Sequence, residues 1–212
     1  MIESLTAVLL RCGVELSDES VALLDQYCER LWDWNRKLNL TRHTDPEAFV
    51  TRDLLDTQQL AEHIASGETV LDIGSGGGVP GVPMAILRPD LCITLAESSG
   101  RKAAALKAIL GDLKLAIPVL AERGEDILKT RTFDTATARA VAPLKKLLPL
   151  LRPVRNSFGK LLLIKGPNWV SERKEAEAGK HLRGFTIDVL AEYATPGRDG
   201  RSVILQIVGG KS

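Results

Sequence analysis

Between Val70 and Gly81 the chain reads Val-Leu-Asp-Ile-Gly-Ser-Gly-Gly-Gly-Val-Pro-Gly, which puts five glycines into the eight positions from Gly74 to Gly81. Ahead of them stands an apolar run holding one carboxylate, Asp72, and behind them the apolar segment Val82–Leu87. The first reads as a buried parallel strand and the second as a helix. Glycine admits positive φ and lets a ligand come close to the backbone, and a helix start leaves amide N–H groups open to an anion. A tight turn would explain one or two glycines, not five. The pattern is the strand–loop–helix of a nucleotide-type site, and it commits the chain to a sheet that binds its ligand at the strand ends.

The nature of that ligand turns on Asp72. Gly76-x-Gly78-x-x-Gly81 matches the dinucleotide fingerprint G-x-G-x-x-G, so a nicotinamide or flavin cofactor is one reading. That motif cradles a pyrophosphate, which an acid at the strand end repels. S-adenosylmethionine carries an ammonium, a carboxylate and a sulfonium but no phosphate. Asp72 suits the ammonium and the loop N–H groups suit the carboxylate. The order D-x-G-x-G-x-G, from Asp72 to Gly78, resembles motif I of class I methyltransferases. Ile93–Glu97 reads as the next strand, and Glu97 at its end is placed to accept ribose hydroxyls. NAD enzymes share that acid, so it supports adenosine without choosing the cofactor, and a plain surface glutamate is the alternative.

Hydrophobic periodicity divides the chain near residue 66. A helical extension, 1–66, carries helices over 2–12, from Ser17-Asp18 onward, and from the cap Asp45-Pro46 toward Ile64. The second of these has Leu24, Tyr27, Cys28, Leu31 and Leu38 at helical spacing. The methyltransferase-like region, 67–212, alternates strands 69–73, 92–97, 117–121, 133–139 and 158–164 with helices 80–88, 100–113, 125–129, 143–151 and 169–181. Strands 184–193 and 202–208 close it, joined by the turn signals Pro196-Gly197 and Asp199-Gly200. The expected fold class is α/β and Rossmann-like: a seven-stranded, mostly parallel sheet with an antiparallel edge, and the N-terminal helices packed on it.

The length of 212 residues, 44% hydrophobic, suffices for one such core plus an appendage. No apolar run approaches the ~20 residues of a membrane span, and Met1-Ile2-Glu3-Ser4 lacks the basic start of a signal peptide, so the expected compartment is the cytosol. Cys12, Cys28 and Cys92 lack metal-ligand spacing and read as reduced core or near-core residues. His43, His63 and His181 are scattered, so neither a metal nor a Ser-His-Asp set is expected. The formal charge of +1 hides a division. Residues 1–100 carry 7 Lys/Arg against 16 Asp/Glu, 7 − 16 = −9, and residues 101–212 carry 21 against 11, 21 − 11 = +10. Between Asp134 and Glu172 stand Arg139, Lys145, Lys146, Arg152, Arg155, Lys160 and Lys165 with no acid. That is the footprint of a nucleic-acid partner, with a merely solvated basic face as the alternative. Leu144, Leu147, Leu148 and Leu151 form one apolar stripe that leaves Lys145 and Lys146 outside it.

Further motifs select a family. Trp34-Asn35-Arg36-Lys37-Leu38-Asn39-Leu40-Thr41, Arg52-x-x-Leu55-Asp56, the run Leu71–Pro83 with its G-x-P-G-x-P end, Arg123-Gly124-Glu125, Phe133-Asp134 leading to Arg139-Ala140, and Leu163-Ile164-Lys165-Gly166 together span most of the chain. On these the chain resembles the RsmG (GidB) family of 16S rRNA guanine-N7 methyltransferases. It departs from the family pattern at Asp53, where a histidine is usual, at Thr57 for serine, at Glu97 for aspartate and at Ala105 for phenylalanine.

The resemblance implies S-adenosylmethionine as methyl donor, S-adenosylhomocysteine as product, and guanine 527 of 16S rRNA in the 30S subunit as acceptor. It implies Asp72, Gly74, Gly76, Gly78, Val79 and Glu97 around the cofactor, with Gly124 and Glu125 at the adenine edge. Arg139 would hold the methionine carboxylate or face the target base, and Arg123, Lys165 and Asn39 are further candidates near the reacting groups. The RNA candidates are Lys145, Lys146, Arg152, Arg155 and Lys165, and a monomer is expected. Guanine N7 has an in-plane lone pair and no proton, so orientation rather than a general base should dominate. In A-form RNA that atom lies in a deep, narrow groove, so the acceptor should be a loop guanine splayed out against an apolar or aromatic surface. Of Trp32, Trp34 and Trp169, the first two read as core. A small-molecule methyltransferase, a nicotinamide-dependent reductase and a non-catalytic ribosome-binding protein are the competing readings.

Overall fold

The computed structural model describes residues 3–196 and 200–210, so Ile2, Gly197 and Asp199 of the expected elements lie outside the described residues. Ser4 and Ser17 accept hydrogen bonds from Ala7 and Ser20 amides and start α1 (Leu5–Arg11) and α2 (Asp18–Asn35). Leu24, Tyr27, Cys28 and Leu31 of α2 are buried. Leu38 lies beyond the helix, because Asn35 Oδ1 takes the amides of Leu40 and Thr41 at 2.7 and 3.0 Å and turns the chain away. Asp45 caps α3 (Pro46–Ala48), with Pro46 in the first turn. The single helix expected from there to Ile64 is instead broken by a π-helical turn, Phe49–Leu54, before α4 (Leu55–Ala61). The Thr51 and Thr57 hydroxyls donate to the carbonyls of Glu47 and Asp53, side-chain bonds that compete with the helical ladder.

The α/β alternation follows as β1 (Thr69–Ile73), α5 (Gly81–Leu87), β2 (Cys92–Ala96), α6 (Gly100–Asp112), β3 (Val119–Leu120), α7 (Gly124–Ile127), β4 (Phe133–Arg139), α8 (Leu144–Leu151), β5 (Phe158–Lys165), α9 (Trp169–Ala178), β6 (Phe185–Ala194) and β7 (Arg201–Gly209). The seven strands lie in the order β3-β2-β1-β4-β5-β7-β6. The first five are parallel, and β7 pairs antiparallel with both β5 and β6. The third strand is shorter than its apolar run suggests, since it is an edge strand and Pro118 has no N–H to extend the ladder. α9 ends three residues before the expected limit of 181, with Gly179 as its cap and Lys180 turning the chain off in the left-handed conformation (φ +56°).

One face of the sheet carries α1, α2 and the α3–α4 region with α5 and α6. Leu24, Tyr27 and Leu31 share a core there with Val82 and Leu106. The other face packs α7, α8 and α9, with Leu144, Leu147, Leu148 and Leu151 all buried as one stripe. Only Cys28 among the cysteines is core; Cys12, just past the last turn of α1, and Cys92, whose alternation on β2 turns it outward, are exposed.

The helical extension also grips the glycine loop by a polar contact, the buried Tyr27 hydroxyl donating to Gly77 O at 2.9 Å. Tyr27→Phe leaves that carbonyl without its donor and is expected to cost about 1–3 kcal/mol, measured by chemical denaturation.

Candidate active site

The glycine loop turns at the carboxyl end of β1. Gly74 (φ +71°) and Gly76 (φ +58°) hold left-handed conformations that glycine adopts without strain. The amides of Gly74 and Ser75 donate to Ala96 O, and Gly76 N–H donates to Glu97 Oε2 at 2.9 Å, so the loop is tied to the end of β2. A Cβ on Gly76 would find no protein atom nearer than 3.8 Å, so that position opens onto a cleft of about 990 Å³.

Of the residues expected around the cofactor, Gly74, Gly76, Val79 and Arg139 line this cleft, as do Asn39 and Lys165. Asp72 does not. Its carboxylate lies buried beneath the loop, with Oδ1 accepting from the Thr137 hydroxyl at 3.0 Å and Oδ2 2.9 Å from where a Cβ on Gly81 would stand. The start of α5 therefore faces the chain's own carboxylate, since the Gly81 amide pulls on Asp72. Burial pushes the Asp72 carboxyl up to about 6, against the pull of Ser75, Thr137 and the Gly81 amide. Gly78 and Gly124 serve packing: a Cβ would lie 2.7 Å from Val82 at the first and 2.7 Å from Ile73 at the second. Glu97 accepts from Gly76 and Ser99 amides, while Glu125 stands 3.8 Å from the largely exposed Arg123, and none of these three lines the cleft.

Arg139, at the end of β4, is held by two acids from the π turn and α4: Asp53 at 2.5 Å and Asp56 at 3.4 Å. His43 Nδ1 joins Asp53 at 2.7 Å, and the Tyr193 hydroxyl on β6 donates to Asp56 at 2.7 Å. Burial opposes the Arg139 charge, but the two acids outweigh it and raise its pKa; burial raises that of Asp56 against the pull of Arg139 and Tyr193. Asp53, a departure from the family pattern, is thus the hub of a buried network. His43, Asp56 and Tyr193 carried no expected role; the available signal was two acids three apart, Asp53 and Asp56, flanking Leu54-Leu55 in a helical run.

The loop 39–43 forms the facing wall. Trp32 Nε1 donates to His43 O at 2.9 Å, and the His43 amide to Thr41 Oγ1 at 3.0 Å. After β4, Ala140 takes φ +54° and carries Val141, 41% exposed, over Gly74. Lys165 braces that corner through Ala142 O at 2.9 Å and Glu172 at 2.8 Å.

The acid-free basic stretch is not acid-free in space. Lys145 pairs with Glu175 at 2.8 Å, Lys160 with Glu68 at 3.0 Å and Lys165 with Glu172. Arg152 and Arg155 follow the end of α8, which returns the chain to the edge of the sheet opposite the cleft, and both donate to backbone carbonyls. The cations that join Arg139 and Lys165 around the cleft are Arg42, Arg52 and Lys102, from outside that stretch.

The raised carboxyl of Asp72 has a consequence for stability. Its folded pKa of about 6 lies above the ordinary value of 3.8, so the folded state binds more protons between them and loses stability as pH rises through that window. Asp72→Asn should therefore gain on the wild type by on the order of 2 kcal/mol between pH 4 and pH 7, read from paired denaturation curves.

The family model described as "rRNA small subunit methyltransferase G" matches residues 20–196. A protein of that name from Rhodopirellula baltica is 49% identical over 181 residues, 85% of this chain and 78% of its own. One from Sorangium cellulosum is 39% identical over 208 residues, 95% of this chain and 85% of its own. Among solved structures, a ribosomal protein L11 methylase from Lactobacillus delbrueckii subsp. bulgaricus superposes with a TM-score of 0.54 at 18% identity, covering 76% of this chain and 79% of that one, and shares the fold. With the motif residues gathered at one sheet edge, the chain belongs to the small-subunit rRNA methyltransferase G family, methyltransferases that draw their methyl group from S-adenosylmethionine.

Proposed function

We propose that this methyltransferase modifies N7 of a single guanine, position 527, in the 16S rRNA of the small ribosomal subunit. The observation that carries the reading is the shared cleft: the glycine loop forms one wall and the cation-bearing 39–43 loop the other. On this reading the enzyme acts as a monomer in the cytoplasm, and the 30S subunit is its partner. Among the described residues no helix is long and apolar enough to cross a membrane.

The roles of the side chains follow from what each has left to give. Gly74, Gly76 and Val79 present backbone and apolar surface to the cofactor. Glu97 spends one acceptor site of each oxygen on the Gly76 and Ser99 amides, leaving a site on each for the ribose hydroxyls. Gly124 lets the start of α7 close on Ile73 at the end of β1 and brings Glu125 toward the adenine edge. Arg139, clamped by Asp53 and Asp56, keeps Nη1 without a partner for the methionine carboxylate. Asn39 contributes to the rim, and Val141 supplies the apolar surface for a splayed guanine. When bound, S-adenosylmethionine supplies a sulfonium methyl that passes to the N7 lone pair while the sulfur leaves with its bonding electrons as S-adenosylhomocysteine. No proton leaves N7, so the protein's task is to bind, orient and exclude water, and correct orientation alone contributes roughly 7–11 kcal/mol in well-aligned systems.

Labelled methyl transfer to unmodified 30S subunits and to free 16S rRNA tests the reaction. The expected product is 7-methylguanosine at one position; transfer to another atom or base rejects the reading. At Gly74, aspartate fits the left-handed backbone better than most residues but places a charge against Val141 and the cofactor. Gly74→Asp is expected to abolish S-adenosylhomocysteine binding in calorimetry while the protein stays folded by circular dichroism.

A further inference from the structure

We propose that Arg42, Arg52 and Lys102 form a phosphodiester seat at the rim of the cleft, holding the backbone of the RNA strand next to the nucleotide that is methylated. This rests on the reading of the enzyme as an RNA methyltransferase and places its main electrostatic contact somewhere other than the basic stretch of the sequence.

The charge balance around the cleft makes the case. Five Lys/Arg line it, Arg42, Arg52, Lys102, Arg139 and Lys165, against three acids, Asp53, Asp56 and Glu172, which leaves 5 − 3 = +2. Each acid has partners of its own, although Asp53 makes both of its contacts through Oδ1 and keeps Oδ2 buried without one. Asp53 serves Arg139 and His43, Asp56 serves Arg139 and Tyr193, and Glu172 serves Lys165 and the Leu144 amide. The positive excess resides on Arg42, Arg52 and Lys102, for which no protein partner exists among the described residues; their +3 exceeds the net +2 because two acids, Asp53 and Asp56, share the single cation Arg139. Arg52 is the most telling of the three: its Nη1 is buried with no hydrogen-bond partner, a donor that the fold has desolvated without satisfying. A phosphate oxygen fits such a site, because the planar guanidinium matches it with two parallel donors.

Position agrees with charge. Arg42 rides on the loop pinned by Trp32 and Asn35, and that loop touches the glycine loop: a Cβ on Gly77 would lie 3.2 Å from Leu40 O. Lys102 stands in the first turn of α6, next to the end of β2, and Arg52 on the π turn. All three cations line the same cleft as Gly74, Ser75, Gly76 and Gly77 of the glycine loop. The α8 face offers less, since Lys145 pairs with Glu175 and Arg152 and Arg155 lie at the far edge of the sheet, which leaves Lys146 as its one exposed cation without a protein partner among the described residues.

The test is the salt dependence of binding to a fluorescein-labelled, single-stranded 12-mer oligoribonucleotide with one guanine, in saturating S-adenosylhomocysteine. Each phosphate contact to a single strand contributes a slope of about −0.7 in log affinity against log salt. Three contacts predict about −2 for the wild type, and each of R42Q, R52Q and K102Q should lose about 0.7 of it together with several-fold affinity at 0.1 M salt. S-adenosylhomocysteine affinity and melting temperature should stay at wild-type values, because none of the three cations has a protein partner to lose. Unchanged slopes in all three variants, loss of slope confined to a K145Q/K146Q double variant, or absence of salt-dependent binding in the wild type overturns the seat. A fall in S-adenosylhomocysteine affinity for R52Q also overturns it, assigning that cation to the cofactor's carboxylate. Failure of the underlying reaction is distinguishable: salt-dependent binding lost stepwise in the variants, without methyl transfer by the wild type, supports the seat and rejects guanine methylation.

Discussion

Arg139 between Asp53 and Asp56 is the contact on which the site depends. It is the point where the helical extension, which supplies both acids, meets the end of β4, which supplies the cation. Charges buried this way are costly to desolvate, and the arrangement holds because almost every member has a second partner: His43 for Asp53, Tyr193 for Asp56. Through Tyr193 the antiparallel end of the sheet enters the same knot, and through His43 so does the loop that walls the cleft. Four separated segments of chain are thus brought to one place by charge, where apolar packing alone would leave their relative orientation loose.

A second constraint works beneath the glycine loop. Asp72 and Gly81 share a space too small for a side chain at the latter. The helix N-terminus at that point meets a carboxylate of its own strand, which leaves the loop amides of Gly74, Ser75 and Gly76 engaged with Ala96 and Glu97. The loop is tied down by internal contacts to the end of β2. Glycine recurs for two reasons along one motif: Gly76 for positive φ alone, Gly81 for close packing alone, and Gly74 and Gly78 for both.

Much of the fold was legible because the signals were local. The number of strands, the antiparallel edge, the Asp45-Pro46 start and the α8 leucine stripe all follow from periodicity and capping, and the helical extension packs where an apolar face required it. The π turn was not legible, since the hydroxyl-to-carbonyl bonds of Thr51 and Thr57 that accompany it look in sequence like any helical threonine. The charge pattern pointed to a nucleic-acid partner but could not say which cations have partners of their own. Neutralisation is a spatial property, and Lys160 finds Glu68 92 residues away, so a stretch without acids in sequence has them in three dimensions. Conversely Arg42 and Arg52, embedded in the acidic half, became visible as cleft cations only when the acids near them were seen to be occupied.

The separation of Asp53 from Arg139 by 86 residues has a consequence for how the molecule comes into being. During synthesis the two acids emerge long before their cation, and the N-terminal 100 residues carry their excess of −9 (7 − 16) with no counterpart yet made. The extension can form helices in that interval, but it cannot bury Asp53 and Asp56 in their final form until β4 is complete. Vectorial synthesis therefore makes the first segment of this chain wait for the middle one, and the cleft is assembled late, when the last strands reach Tyr193 and close the knot.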